Sequence, residues 1–164
     1  MARALIVGCG CWGRELGDEL ASRGWQVRGT SRSDEGAAAI EAAGHEAALA
    51  DPDRPGTVLD LVGDVAVVVW LLGSAAGDAE LLEAIHGPRL ERLLEKLVDT
   101  PVRGFAYQAE GSVPPGVLSL GHRTVGRAAR TWRIPVGEVP APSGEDGWPT
   151  RAADAVEGVL ALNR

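Results

Sequence analysis

The chain has 164 residues, 45% of them hydrophobic, and a net charge of −7. That length predicts one domain over residues 1–164 with a sizeable core, and the acidic balance argues against a nucleic-acid partner. No apolar run approaches the ~20 residues that span a bilayer, so no membrane segment is expected.

The first element read from the sequence is a strand, Ala4-Leu5-Ile6-Val7, apolar throughout like a strand buried on both faces. Gly8, Gly10 and Gly13 follow it in the pattern G-x-G-x-x-G. A helix over about Trp12–Arg23, ended by Gly24, and a strand over Trp25–Gly29 complete a βαβ unit. In that context each glycine has a task. Gly8 allows the tight turn out of the strand, Gly10 lets a pyrophosphate approach bare backbone, and Gly13 lets the helix sit close to the sheet. The amides of Cys11, Trp12 and Gly13 open the helix and point their dipoles at the phosphates. Cys9 and Cys11 flank Gly10. A bridge between them would be badly strained and C-x-C alone is a poor metal site, so both read as small turn residues and no metal is expected.

Thr30-Ser31-Arg32-Ser33 follows the second strand, where an NAD-binding unit places an acid on the ribose 2′-hydroxyl. The Thr30 and Ser31 hydroxyls and the Arg32 guanidinium suit a 2′-phosphate instead, which predicts NADP(H) over NAD(H). Ser33 also caps the next helix, Ser33–Ala43, which Gly44 ends. His45–Ala50 is a weak third strand, alanine-rich as an edge strand can be, and Thr57–Val62 a short helix. Asp51 between them has two readings: acceptor for the adenine amino group, or cap of the next turn.

Asp64–Leu72, DVAVVVWLL, is the strongest strand and reads as central and parallel. The small-residue loop after it, Gly73–Gly77, falls with the strand end Leu72 where a dinucleotide's ribose and nicotinamide would lie, Leu72, Gly73 and Ser74 being the candidate contacts. Asp78–Val98 is helical with a break at Gly87-Pro88. Its stripe Leu90, Leu93, Leu94 and Leu97 packs on the sheet or forms a homodimer surface. Arg103–Gln108 is a fifth strand, Gly111–Gly116 a rigid loop, Val117–Trp132 a helix and Ile134–Val139 a sixth strand. After the turn-rich Pro140–Pro149, Thr150 caps a last helix through Leu162, with Ala155, Val156, Val159 and Leu160 inward. The alternation predicts an α/β fold, one doubly wound parallel sheet of six strands in the order 3-2-1-4-5-6. The N-terminus enters the first strand directly, so a cytoplasmic location is expected.

With GCGCWG…RGWQVRGTSRS, VVVWLLG and RGFAYQAEGSV, the chain resembles the extended and atypical short-chain dehydrogenase/reductase superfamily, in its nucleoside-diphosphate-sugar epimerase branch. The resemblance runs from Ala4 to the final helix and is most specific in the first βαβ unit. It implies a Rossmann fold, and the TSRS segment is similar to the family's NADP-type ending of the second strand. It also implies a Ser-Ser pair after the fifth strand and Tyr-x-x-x-Lys on the next helix. Here Ala109 and Glu110 stand at the serine positions, and the helix Val117–Trp132 holds neither Tyr nor Lys. The only Tyr is Tyr107 and the only Lys is Lys96. The remaining catalytic candidates are Tyr107, Glu110 and His122, the last expected to pair with Glu110. His45 and His86 read as surface residues. Three functions compete: an NADP(H)-binding sensor or regulator, an NADP-dependent reductase or epimerase with other catalytic residues, and a scaffold for protein contacts.

Overall fold

Val67–Trp70 (β4) has every residue buried, because this all-apolar segment is covered on both faces. The computed structural model describes residues 2–162, and in it β4 sits near the middle of a six-stranded parallel sheet. The other strands are Arg3–Val7 (β1), Gln26–Ser31 (β2), Glu46–Leu49 (β3), Gly104–Gln108 (β5) and Val136–Val139 (β6). Their order is β3-β2-β1-β4-β5-β6, as the alternation of elements predicts. The alanine-rich β3 is an edge strand, and Leu49 at its end is exposed.

Alternate residues of the strands feed two cores. Ala4, Ile6, Val67, Val69 and Ala106 pack under Cys11–Ser22 (α1), Asp34–Ala42 (α2) and Trp148–Ala161 (α7). Leu5, Val7, Val68, Trp70 and Phe105 pack under Pro55–Leu59 (α3), Ala79–His86 (α4), Pro88–Leu97 (α5) and Pro115–Trp132 (α6). The α5 leucines Leu90, Leu93, Leu94 and Leu97 are at most 2% exposed inside the second core. The stripe therefore seals one face of the sheet and offers no dimer surface.

Several element boundaries differ from the sequence reading: β2 runs to Ser31 rather than Gly29, α3 covers Pro55–Leu59 rather than Thr57–Val62, and β6 begins at Val136 rather than Ile134. The last helix starts at Trp148, and its N-cap is Gly147 rather than Thr150. Pro149 in the first turn accounts for this, since its fixed φ suits a position whose N–H needs no partner. Ala152, Ala153, Val156 and Val159 are its buried residues, whereas Ala155 and Leu160 are only half-buried. β4 is shorter than Asp64–Leu72, and α6 begins two residues earlier, at Pro115. Ser33 does cap α2, accepting the Gly36 amide at 3.1 Å.

The end of the sheet where the strands begin is tied by charge. Arg28 donates to Glu46 at 3.0 Å and to Asp64 at 2.8 Å, and Arg3 also pairs with both carboxylates. Both carboxyls are held below their ordinary values of 4.5 and 3.8, chiefly by the hydrogen bond from Arg28. A carboxyl with a lowered folded-state pKa stabilises the fold above its unfolded value, and that contribution disappears as pH falls through the folded value. The melting temperature is therefore expected to fall between about pH 5 and pH 3. Arg28→Ala should flatten that fall and cost about 1–2 kcal/mol at pH 7, because both carboxylates are half exposed. Thermal melts of both proteins across pH measure this.

Candidate functional site

The chain leaves β1 through Gly8, whose φ of +85° only glycine adopts freely. A Cβ there would lie 2.7 Å from the Leu71 carbonyl oxygen. At Gly13, in the first turn of α1, a Cβ would meet Cys9 Sγ at 3.1 Å and Ile6 at 3.3 Å, so the helix closes directly onto β1. At Gly10, the N-cap of α1, a Cβ would meet nothing within 4 Å. The three glycines thus divide the tasks read from the motif: a turn, an open approach and a close contact. No side chain caps α1, and no acid stands in its first turn. Its leading amides and the positive end of its dipole face a cleft of about 340 Å³.

One wall of the cleft is the end of β2, with Thr30, Ser31 and Arg32. Thr30 is buried, and its carbonyl oxygen accepts the Cys9 amide at 3.1 Å. Ser31 Oγ accepts the Ser33 amide at 3.2 Å, shaping the turn into α2. Arg32 stands exposed on the rim. The opposite wall is the loop after β4. Leu72 and Ser74 line the cleft, whereas Gly73 is buried behind them, its amide donating to Gln108 Oε1 at 3.1 Å. Ser74 Oγ accepts the Ser112 amide at 3.1 Å, so the loops after β4 and β5 are tied together.

Trp12 stacks edge-on against Trp148, with centroids 5.5 Å apart. The Trp148 indole donates to the Pro140 carbonyl at 2.9 Å, which fixes the segment carrying Pro142 into the cleft wall. Neither Trp148 nor Pro142 is marked by the glycine motif. Asp51 is not in the wall, although Ala50 and Pro52 are. Its carboxylate accepts the Asp53 amide at 2.9 Å and so closes the turn before α3.

The catalytic candidates do not converge. Tyr107 is buried, and its hydroxyl lies 2.7 Å from His86 Nδ1. His86 is fully buried and His45 is 9% exposed, so neither is the surface residue its isolation in the sequence suggests. His86 lies on the apolar face of α4 with Leu82 and Ile85, a helical spacing that marks it as inward. His45 packs beside Gly17 and pairs with Asp18 at 2.8 Å. Glu110 and His122 both line a second groove beyond the β5–α6 loop, with Arg123. His122 does not pair with Glu110: its Nδ1 lies 2.9 Å from Glu138 on β6. That partner is 16 residues away on another element, with no local signal linking the two. Cys9 and Cys11 are unbridged. Burial pushes the Cys9 thiol up to about 12, so Cys9 is an inert packing residue between β1 and α1.

A parallel sheet of this order, with a glycine-turned cleft outside the carboxyl ends of β1, β2 and β4, is a Rossmann-type α/β fold. Solved structures of reductases and epimerases share this fold. The chain is similar to Citrobacter sp. triphenylmethane reductase complexed with NADP(H), with a TM-score of 0.63 and 22% identity over 85% of this chain and 49% of that one. It is similar to a putative NAD-dependent epimerase/dehydratase from Bacillus halodurans, with a TM-score of 0.72 and 17% identity over 89% of this chain and 73% of that one. Yeast methylglyoxal/isovaleraldehyde reductase complexed with NADPH gives a TM-score of 0.66 and 12% identity over 84% and 56% of the two chains. The chain thus spans about half the length of the triphenylmethane reductase. No protein-family model and no curated sequence matches it. No helix among the described residues is long and apolar enough to cross a membrane.

Proposed function

We propose that this chain binds NADP(H) in the cleft at the α1 N-terminus and works in the cytoplasm as a dinucleotide-responsive sensor or regulator. The observation that carries the reading is Gly10: open space stands over a bare backbone and an uncapped helix start, as a pyrophosphate requires. The cofactors held by the triphenylmethane and yeast reductases support NADP(H), as does Arg32 where an NAD site would carry an acid. A regulatory role fits α6, which carries neither the Tyr nor the Lys that the family resemblance implies there.

The test is calorimetric titration with NADPH and NADH. NADPH is expected to bind more tightly, and Arg32→Ala to weaken NADPH about tenfold with little effect on NADH, since it removes a charge-assisted contact to the 2′-phosphate. Failure of both nucleotides to bind would leave only the scaffold reading.

One observation favours a second reading, a reductase or epimerase with other catalytic residues. The His122–Glu138 pair and Glu110 line a groove that adjoins the cleft along the chain, Gln108 lining the cleft and Ala109 the groove. Carbonyl-dependent NADPH oxidation that His122→Ala abolishes would establish it. NADPH binding without turnover of a carbonyl panel favours the sensor.

A further inference from the structure

A buried hydrogen-bond chain runs behind the β4 wall of the cleft. His86 Nε2, on α4, lies 3.1 Å from the Leu72 carbonyl oxygen. A carbonyl only accepts, so Nε2 carries the proton. Nδ1 of the neutral ring then offers a lone pair, and the Tyr107 hydroxyl 2.7 Å away donates to it. Burial lowers the His86 pKa, which keeps the ring neutral. Tyr107 therefore fixes the tautomer of His86, and His86 holds the Leu72 carbonyl.

That carbonyl also accepts the Ala75 amide at 3.2 Å, so its orientation sets the turn Leu72–Ala75. Leu72, Ser74 and Ala75 all line the cleft. A dinucleotide lies across such a crevice with its pyrophosphate on the helix N-terminus. With the 2′-phosphate at Arg32 beyond β2, the nicotinamide half lies against the β4 loop. Three polar groups in an apolar core cost stability unless all are satisfied, and once satisfied they rigidify what they hold.

We infer that Tyr107 and His86 are positioning residues for the nicotinamide half of the bound dinucleotide, acting through the Leu72 carbonyl on the cleft wall. The inference rests on the reading that this cleft binds NADP(H). It is tested by titrating NADPH and 2′,5′-ADP, which keeps the adenosine and the 2′-phosphate but has no nicotinamide. Tyr107→Phe leaves His86 Nδ1 unsatisfied and should weaken NADPH about tenfold, while 2′,5′-ADP stays within about twofold of wild type because its contacts are remote. His86→Gln, which keeps an N–H for Leu72, should bind NADPH more tightly than His86→Leu, and this pair decides the matter if Tyr107→Phe does not fold. Equal losses for both ligands, or no loss for NADPH, overturn the inference. A wild-type protein that binds neither ligand refutes the cofactor reading instead.

Discussion

Gly10→Leu is expected to fold like the wild type and to lose NADPH binding by more than about 100-fold. The two halves of this result have separate causes. Gly10 has φ −86°, on the negative side that side-chain-bearing residues use, and its Cβ position is empty to 4 Å. The new Cβ meets no neighbour, and the melting temperature should stay within about 2 °C of wild type. The leucine side chain nevertheless projects into the space that a pyrophosphate needs above the α1 amides. A ligand of fixed shape cannot approach, and the helix dipole acts only within the first turn. Gly8→Ala is the opposite case. It forces φ +85° on a side chain and brings a Cβ to 2.7 Å from a backbone oxygen, so it damages the fold before it reaches the ligand. Calorimetry paired with thermal melts separates the two. Wild-type NADPH affinity in Gly10→Leu would remove the pyrophosphate from this loop.

The contrast shows which features are legible in the sequence. Gly8, Gly10 and Gly13 act through backbone geometry over six residues, so their spacing alone announces the turn, the opening and the contact. The central strands are equally readable, since a continuous apolar run as short as Val67–Trp70, bounded by turns, fits a strand covered on both faces. Ser33 is readable because capping is local. What stays hidden depends on pairs distant in the chain. Glu138 meets His122 only because β6 lies beside α6, and Tyr107 meets His86 only because β5 passes under α4. As the chain's only Tyr, on the fifth strand, Tyr107 is a catalytic candidate; with its partner in place, it is a buried strut. Pro142 reaches the cleft through the Trp12–Trp148 contact, which no short motif encodes.

Gly121→Ala should destabilise the protein by about 2 kcal/mol, although alanine is the better helix former. Gly121 lies within α6, where the exchange by itself gains up to ~1 kcal/mol. Opposing it, the new Cβ would fall 1.8 Å from the Tyr107 hydroxyl, 2.7 Å from its Cζ and 3.1 Å from His86 Nδ1. Tyr107 is 1% exposed and cannot swing into solvent. It must either push β5 away from α6 or give up the bond to His86, and overpacking of this kind costs about 1–3 kcal/mol with more for a broken buried hydrogen bond. The loss exceeds the gain, and the melting temperature should fall by roughly 4–8 °C. Gly158→Ala provides the control: it sits in α7 with nothing within 4 Å of its Cβ, so only the propensity gain remains and the protein should melt about 2–4 °C higher. Adding Tyr107→Phe to Gly121→Ala removes the nearest atom of the clash, so the double variant should lose less than the sum of the two single losses. A Gly121→Ala protein that melts at or above wild type would mean that α6 does not press on Tyr107, and the strut behind the cleft wall would have lost its backing.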